Sequence, residues 1–133
     1  MTKIFIGQAV TGHDIEVLKM EMEKVYSILK QGGHDVYSTL EEEGKNIFKK
    51  AGEWVIHAFK QIDKHDVFLV IIRTEYRSEG LLMEIGYALS KNKKLILLIN
   101  EKVKNTYLRD FTDDIIEWRN FDDLITKLSK LRT

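Results

Sequence analysis

Apolar residues recur along this chain in two alternating rhythms. Nearly unbroken apolar runs occur at Lys3-Ile4-Phe5-Ile6-Gly7, Asp66-Val67-Phe68-Leu69-Val70-Ile71-Ile72 and Lys94-Leu95-Ile96-Leu97-Leu98-Ile99-Asn100. Runs of this length and composition predict strands buried on both faces. Between them, apolar positions return every three or four residues. Ile15, Leu18, Met22, Val25, Tyr26 and Leu29 share one helical face. Gly32 and Gly33 then offer a left-handed exit. A second helix is predicted from Asn46 to Lys64, with Phe48, Ala51, Val55, Phe59 and Ile62 as its apolar face and Trp54 and Ala58 nearby. A third is predicted over Ser78–Leu89. A fourth follows Asn120 as N-cap, with Asp123 reaching back and Leu124, Leu128 and Leu131 on its apolar side. Asp35–Leu40 and Ile115–Trp118 supply shorter strands, and Tyr107, Leu108 and Phe111 a short helical packing segment.

Strand–helix alternation of this kind predicts an α/β fold: a three-layer sandwich around a central five-stranded, mostly parallel sheet, flavodoxin- or Rossmann-like. A chain of 133 residues without an internal repeat or linker is expected to form one domain, residues 1–133. Ligands of such sheets bind beyond the carboxyl ends of the strands. The loops after the first strand, at Arg73–Ser78 and at Asn100–Lys104 are therefore expected to converge.

Composition narrows the chemistry. The chain has no cysteine, which excludes disulfides, thiolate nucleophiles and cysteine-ligated zinc. The four histidines are dispersed, and no metal site or bound cofactor is expected. Lys plus Arg and Asp plus Glu balance at 21 each, which argues against a broad surface for polymeric nucleic acid. No stretch is long and apolar enough for a membrane span, and the N-terminus lacks the pattern of a signal peptide. The expectation is a cytoplasmic protein with no membrane partner.

The candidate chemistry gathers on the third helix. Ser78 suits either an N-cap or an anion contact, and Gly80 permits close approach of a ligand or a loop. Glu84 lies at the margin of the apolar side, near Gly80 and Tyr87 in angular position. It reads either as a reactive carboxylate facing a cleft or as a boundary carboxylate tied to Tyr87 or Arg73. Gln8, Thr11, Gly12 and His13 follow the first strand as candidate substrate contacts, or as a polar turn with a helix cap. Arg73 and Arg77 suit a phosphate, or ion pairs with Glu75 or Glu79.

Taken in order, several segments resemble the nucleoside 2-deoxyribosyltransferase-like superfamily, which includes deoxynucleoside-monophosphate N-glycosidases. They are Lys3-Ile4-Phe5-Ile6-Gly7-Gln8, Asp66-Val67-Phe68-Leu69-Val70, Ser78-Glu79-Gly80-Leu81-Leu82-Met83-Glu84-Ile85-Gly86-Tyr87-Ala88-Leu89 and Lys93-Lys94-Leu95-Ile96-Leu97-Leu98. The resemblance implies that Glu84 is a nucleophile that attacks the anomeric carbon of a deoxyribosyl group. Ser78 and Gly80 would hold a 5′-phosphate, and Gln8–His13 would be the substrate loop. The implied partner is a small nucleoside or nucleotide, processed by hydrolysis or base exchange, and the implied assembly is a homo-oligomer. An aspartate of the family's second helix falls here on Ala58, so His57 beside it is the candidate replacement for proton transfer. The same glutamate-on-helix arrangement resembles enzymes that cleave nicotinamide dinucleotide. The different-class alternative is a noncatalytic nucleotide-binding or signalling module.

Overall fold

The computed structural model describes residues 2–45 and 47–131. The order along the chain is β1 (Lys3–Gln8), α1 (Ile15–Gln31), β2 (Asp35–Ser38), a 3-10 turn (Thr39–Glu42), α2 (Ala51–Lys64), β3 (Val67–Ile72), α3 (Glu79–Ser90), β4 (Lys94–Asn100), a second 3-10 turn (Leu108–Phe111), β5 (Ile115–Trp118) and α4 (Phe121–Leu128). The sheet order is β2-β1-β3-β4-β5, and all four pairings are parallel. This is the flavodoxin-like order, in which the chain reverses its direction of travel across the sheet between β1 and β3. The tips of those two strands therefore flank an open crevice, with Gln8 in register with Ile71.

Alternation along each strand divides the core into two layers. Ile4, Ile6, Leu69, Ile71, Ile96 and Leu98 face α1 and α4, meeting Leu18, Met22, Val25 and Leu124. Phe5, Phe68, Val70, Leu97 and Ile99 face α2 and α3, meeting Ala58, Ile62, Leu81 and Ile85. Asp14 starts α1 by accepting from the amides of Glu16 and Val17 at 2.9 and 3.3 Å. Gly33 supplies the left-handed turn beyond its end, with φ of 87°.

The region between β2 and α2 departs from the sequence expectation. β2 stops at Ser38, whose hydroxyl accepts from Leu40 N at 3.1 Å and turns the chain into the 3-10 segment. Leu40 is buried, but by the turn and not by a strand. The helix expected from Asn46 begins at Ala51; Asn46 lies outside the described residues, and Phe48 precedes the helix. Glu53 sets that start by accepting from Lys50 N at 2.8 Å. Ala51 is exposed; of the predicted apolar face Ile62 is buried and Val55 and Phe59 are half-buried, with Ala58 buried beside them.

Gly7 sits one residue below the tip of β1, on the face toward α3. A Cβ there would lie 2.6 Å from Phe68 Cε1 and Cζ and 3.1 Å from Leu81 Cδ1. Phe68 is itself buried and cannot swing away. Gly7→Ala is expected to destabilise the fold by about 1–3 kcal/mol through overpacking, read as a lower urea midpoint at unchanged slope.

Candidate functional site

The third helix begins where its sequence said it would. Ser78 Oγ accepts from Leu81 N at 3.2 Å and caps α3. Gly80 follows on the flank turned to α2. An added Cβ would stand 3.3 Å from Val55 Cγ2, 3.8 Å from Glu84 Oε2 and 4.0 Å from Ser78 Oγ. The missing side chain thus leaves a small space bordered by the nucleophile candidate, the cap hydroxyl and α2. Val55, Phe59 and Asp63 form the facing side of α2: Phe59 stacks on Tyr87 at 4.3 Å between ring centroids, and Asp63 accepts from the Tyr87 hydroxyl at 2.8 Å.

Glu84 lies half-buried in this seam, its carboxylate still reached by water. Burial alone pushes its pKa from 4.5 up to about 8. The groups that would neutralise an ordinary boundary carboxylate are committed elsewhere. Tyr87 is bonded to Asp63, and Arg73 donates to Gln8 Oε1 and pairs with Glu21 at 3.5 Å. Among the described residues, no hydrogen bond or ion pair reaches the Glu84 carboxylate. A half-buried carboxyl without a partner is costly to keep ionised, and such groups concentrate where chemistry uses them.

A cavity of about 310 Å³ opens on the other flank of α3. It lies beyond the carboxyl ends of β3 and β4, where the three expected loops do converge. Ala9 and His13 come from the first loop, Arg73, Arg77 and Ser78 from the second, and Val103 from the third, with Asn105 just beyond its predicted end. The second and third loops are stitched together. Glu75 accepts from Lys104 N at 2.7 Å and Asn105 N at 3.2 Å, and Arg77 Nη2 donates to Asn105 O at 2.7 Å. Among the described residues, Arg77 and Arg73 form none of the ion pairs with Glu75 or Glu79 that the sequence suggested. The cavity wall also includes Tyr76, Tyr107 and Phe111, the last two read from sequence only as packing residues. Their apolar spacing carried no sign that they would flank an opening.

The cavity and the Glu84 carboxylate do not coincide, because Glu84 does not line the cavity. Leu81 and Leu82 separate them around α3. For chemistry, the Glu84 seam carries more weight than cavity size, since it holds a carboxyl group whose proton affinity burial raises. The remaining candidates distribute unevenly. Gln8 accepts from Arg73 at the tip of β1 and does not line the cavity. Thr11 and Gly12 are exposed on the loop and line no part of the cavity. Gly12 has φ of 86°, a conformation that suits glycine in this turn.

His57 is not brought to Glu84. Its Nε2 lies 3.1 Å from the Tyr37 hydroxyl, and its ring packs 4.9 Å from Phe48. Two residues from both Val55 and Phe59, it points roughly 160° away around α2 from the flank that meets α3. Burial lowers its pKa. Ala58 is buried against Phe5 and Phe68 in the core, so no acid group stands at that position either. The partner Tyr37 carried no sequence signal, because the contact spans β2 and α2. Among the described residues, no group of three or more His, Asp or Glu side chains is placed to hold a metal ion. None of the helices there is long and apolar enough to cross a membrane.

The fold is shared with solved structures of nucleoside-processing proteins. A Clostridium botulinum CMP N-glycosidase, BcmB, superposes with a TM-score of 0.71 at 22% identity, over 97% of this chain and 99% of that one. A 2-deoxyribosyltransferase from Bacillus psychrosaccharolyticus gives 0.65 at 21% identity, over 98% and 92% of the two chains. A 2-deoxyribosyltransferase from Leishmania mexicana gives 0.60 at 17% identity, over 74% of this chain and 65% of that one. No family model and no curated protein sequence matches the chain. The likeness is one of fold, across nearly the whole chain for the first two.

Proposed function

We propose that this protein cleaves the N-glycosidic bond of a deoxynucleoside or deoxynucleoside monophosphate, with Glu84 as nucleophile. The observation that carries the reading is the unpaired, half-buried carboxylate of Glu84, its pKa raised, beside the open position of Gly80. Its place on a fold shared with an N-glycosidase and two deoxyribosyltransferases supports the substrate class. In the first step, a carboxylate oxygen of Glu84 bonds to the anomeric carbon as the bond to the base nitrogen breaks. The electron pair leaves with the base, which takes a proton from water. In the second step, water adds to the anomeric carbon and releases the sugar, or another base does so and completes an exchange. Both outcomes restore the free carboxylate. An oxocarbenium-like transition state places positive charge next to Glu84, and that charge favours the ionised form which burial disfavours.

Two measurements test this reading. Purified protein incubated with deoxynucleosides, their monophosphates and nicotinamide dinucleotide is expected to release a free base; added acceptor bases separate exchange from hydrolysis. A nucleophile must be ionised, so kcat/KM is expected to rise with pH through the free-protein value near 8. A profile that falls through the same value would instead assign Glu84 the role of a general acid.

Gly80→Ala separates site geometry from stability. The new methyl would crowd Val55 at 3.3 Å and fill space beside Glu84 Oε2. Its tight contact is offset by a helix-propensity gain of up to about 1 kcal/mol, so the melting midpoint is expected to move little. Base release is expected to fall about tenfold or more, because small displacements at a reacting centre are costly.

The cavity favours a second reading, a noncatalytic nucleotide-binding module, because Glu84 does not line it. Saturable nucleotide binding without base release would support that alternative.

A further inference from the structure

Arg73 and Gln8 form a fixed pair at the crevice between the tips of β3 and β1. The guanidinium Nη1 donates to Gln8 Oε1, and Nη2 lies 3.5 Å from Glu21 Oε1. Only 11% of the Arg73 side chain is exposed. Glu21 offsets the charge of Arg73, but Nη2 makes no hydrogen bond at that distance and is itself a buried donor without a partner among the described residues. Arg73 has donors only, so it also dictates which way the Gln8 amide points. The oxygen must face the guanidinium, and the NH2 group must face away from it. Gln8 Nε2 is buried and has no hydrogen-bond partner among the described residues. Leaving such a donor unpaired costs about 1–3 kcal/mol, a penalty that replacement by an apolar side chain would avoid. Its position at the β1–β3 switch point is where this sheet topology receives ligands.

We propose that Glu21 and Arg73 are positioning residues that aim Gln8 Nε2 at an acceptor oxygen of the bound ligand, a sugar hydroxyl or a base carbonyl. Glu21 neutralises Arg73, so the pair presents a neutral donor and not a cation. The inference takes its probes from the N-glycosidic reading but does not depend on Glu84 being reactive.

The test follows the side-chain amide resonances of Gln8 in 15N-labelled protein, assigned by their loss in Gln8→Glu. Thymidine, deoxyadenosine and their 5′-monophosphates are the probes. At least one probe is expected to shift the Gln8 pair saturably. The 3′-deoxy analogue of that probe separates the oxygens: loss of the shift assigns the 3′-hydroxyl, and its retention with thymidine 5′-monophosphate, which has no 5′-hydroxyl, assigns a base carbonyl. Gln8→Glu keeps an acceptor for Arg73 and so keeps the tie between β1 and β3, but it removes the donor. It is expected to weaken binding about tenfold or more. Arg73→Lys, which lacks the planar fork, is expected to raise KM while leaving kcat nearly unchanged. Glu84-dependent base release with wild-type KM in Gln8→Glu would overturn this inference and leave the N-glycosidic reading intact. A Gln8 shift without base release would do the reverse. No shift with any probe would overturn it outright.

Discussion

Glu84→Gln is expected to abolish base release, with a loss of at least about a thousandfold in kcat/KM. The amide is nearly the same size and shape as the carboxylic acid, so substrate placement should survive. What it lacks is an oxygen able to form and later release a bond to the anomeric carbon. It also lacks the negative charge that would face the developing oxocarbenium ion. A defect confined to kcat, with ligand binding preserved, is therefore the expected signature. Equal activity in the variant and the wild type would remove Glu84 from the reaction.

The same substitution is expected to stabilise the protein, and increasingly so as pH rises. The folded chain holds the Glu84 proton up to about pH 8, whereas the unfolded chain releases it near 4.5. Between those values the folded state binds more protons than the unfolded state, so wild-type stability falls with rising pH. Below about 4.5 both states are protonated and the group contributes nothing to the slope. Above about 8 both are ionised, and the accumulated loss is at most about 5 kcal/mol. Glutamine has no proton to release and is free of this dependence. The urea midpoint of Glu84→Gln should therefore diverge upward from wild type between pH 5 and pH 8 and run parallel beyond. Parallel curves throughout would mean that Glu84 is solvated or paired. An active-site group that destabilises its own fold is the familiar trade of stability for function.

Much of the fold could be read from the chain because the apolar pattern and the end signals agree. β4 runs from Lys94 to Asn100 and β5 from Ile115 to Trp118, as their bounded apolar runs imply. Asn120 caps α4 by accepting from Asp123 N at 2.9 Å; Asp123 reaches back one residue further than expected, to Arg119 N. The β2–α2 connection was not legible, for local reasons. Leu40 continues the strand alternation and Phe48 sits at helical spacing from Ala51 and Val55, yet neither belongs to those elements. Ser38 ends the strand through its own hydroxyl. Phe48 packs 4.7 Å from Trp54 ahead of the helix.

The site divided in the same manner. Gly80, Glu84 and Tyr87 lie one turn apart on a single helix, so periodicity alone placed Glu84 beside Gly80. Interactions between elements were beyond reach. Arg73 meets Gln8 only because β1 and β3 pair, 65 residues apart in sequence. His57 looked adjacent to the reaction centre because it precedes Ala58, but one helical position is about 100° of rotation, enough to turn it toward Tyr37. Tyr87 was free to serve Glu84 until α2 brought Asp63 within 2.8 Å of its hydroxyl.

The central claim is a covalent bond between Glu84 and a deoxyribosyl group. Wild-type protein incubated with a substrate that releases base, quenched in acid and digested, should yield a peptide spanning Glu84 that is heavier by one deoxyribosyl or deoxyribosyl-phosphate group. Fragmentation should place the added mass on Glu84, and Glu84→Gln should show none. Base release by the wild type with the adduct on another residue, or with an equal adduct in Glu84→Gln, would contradict the account.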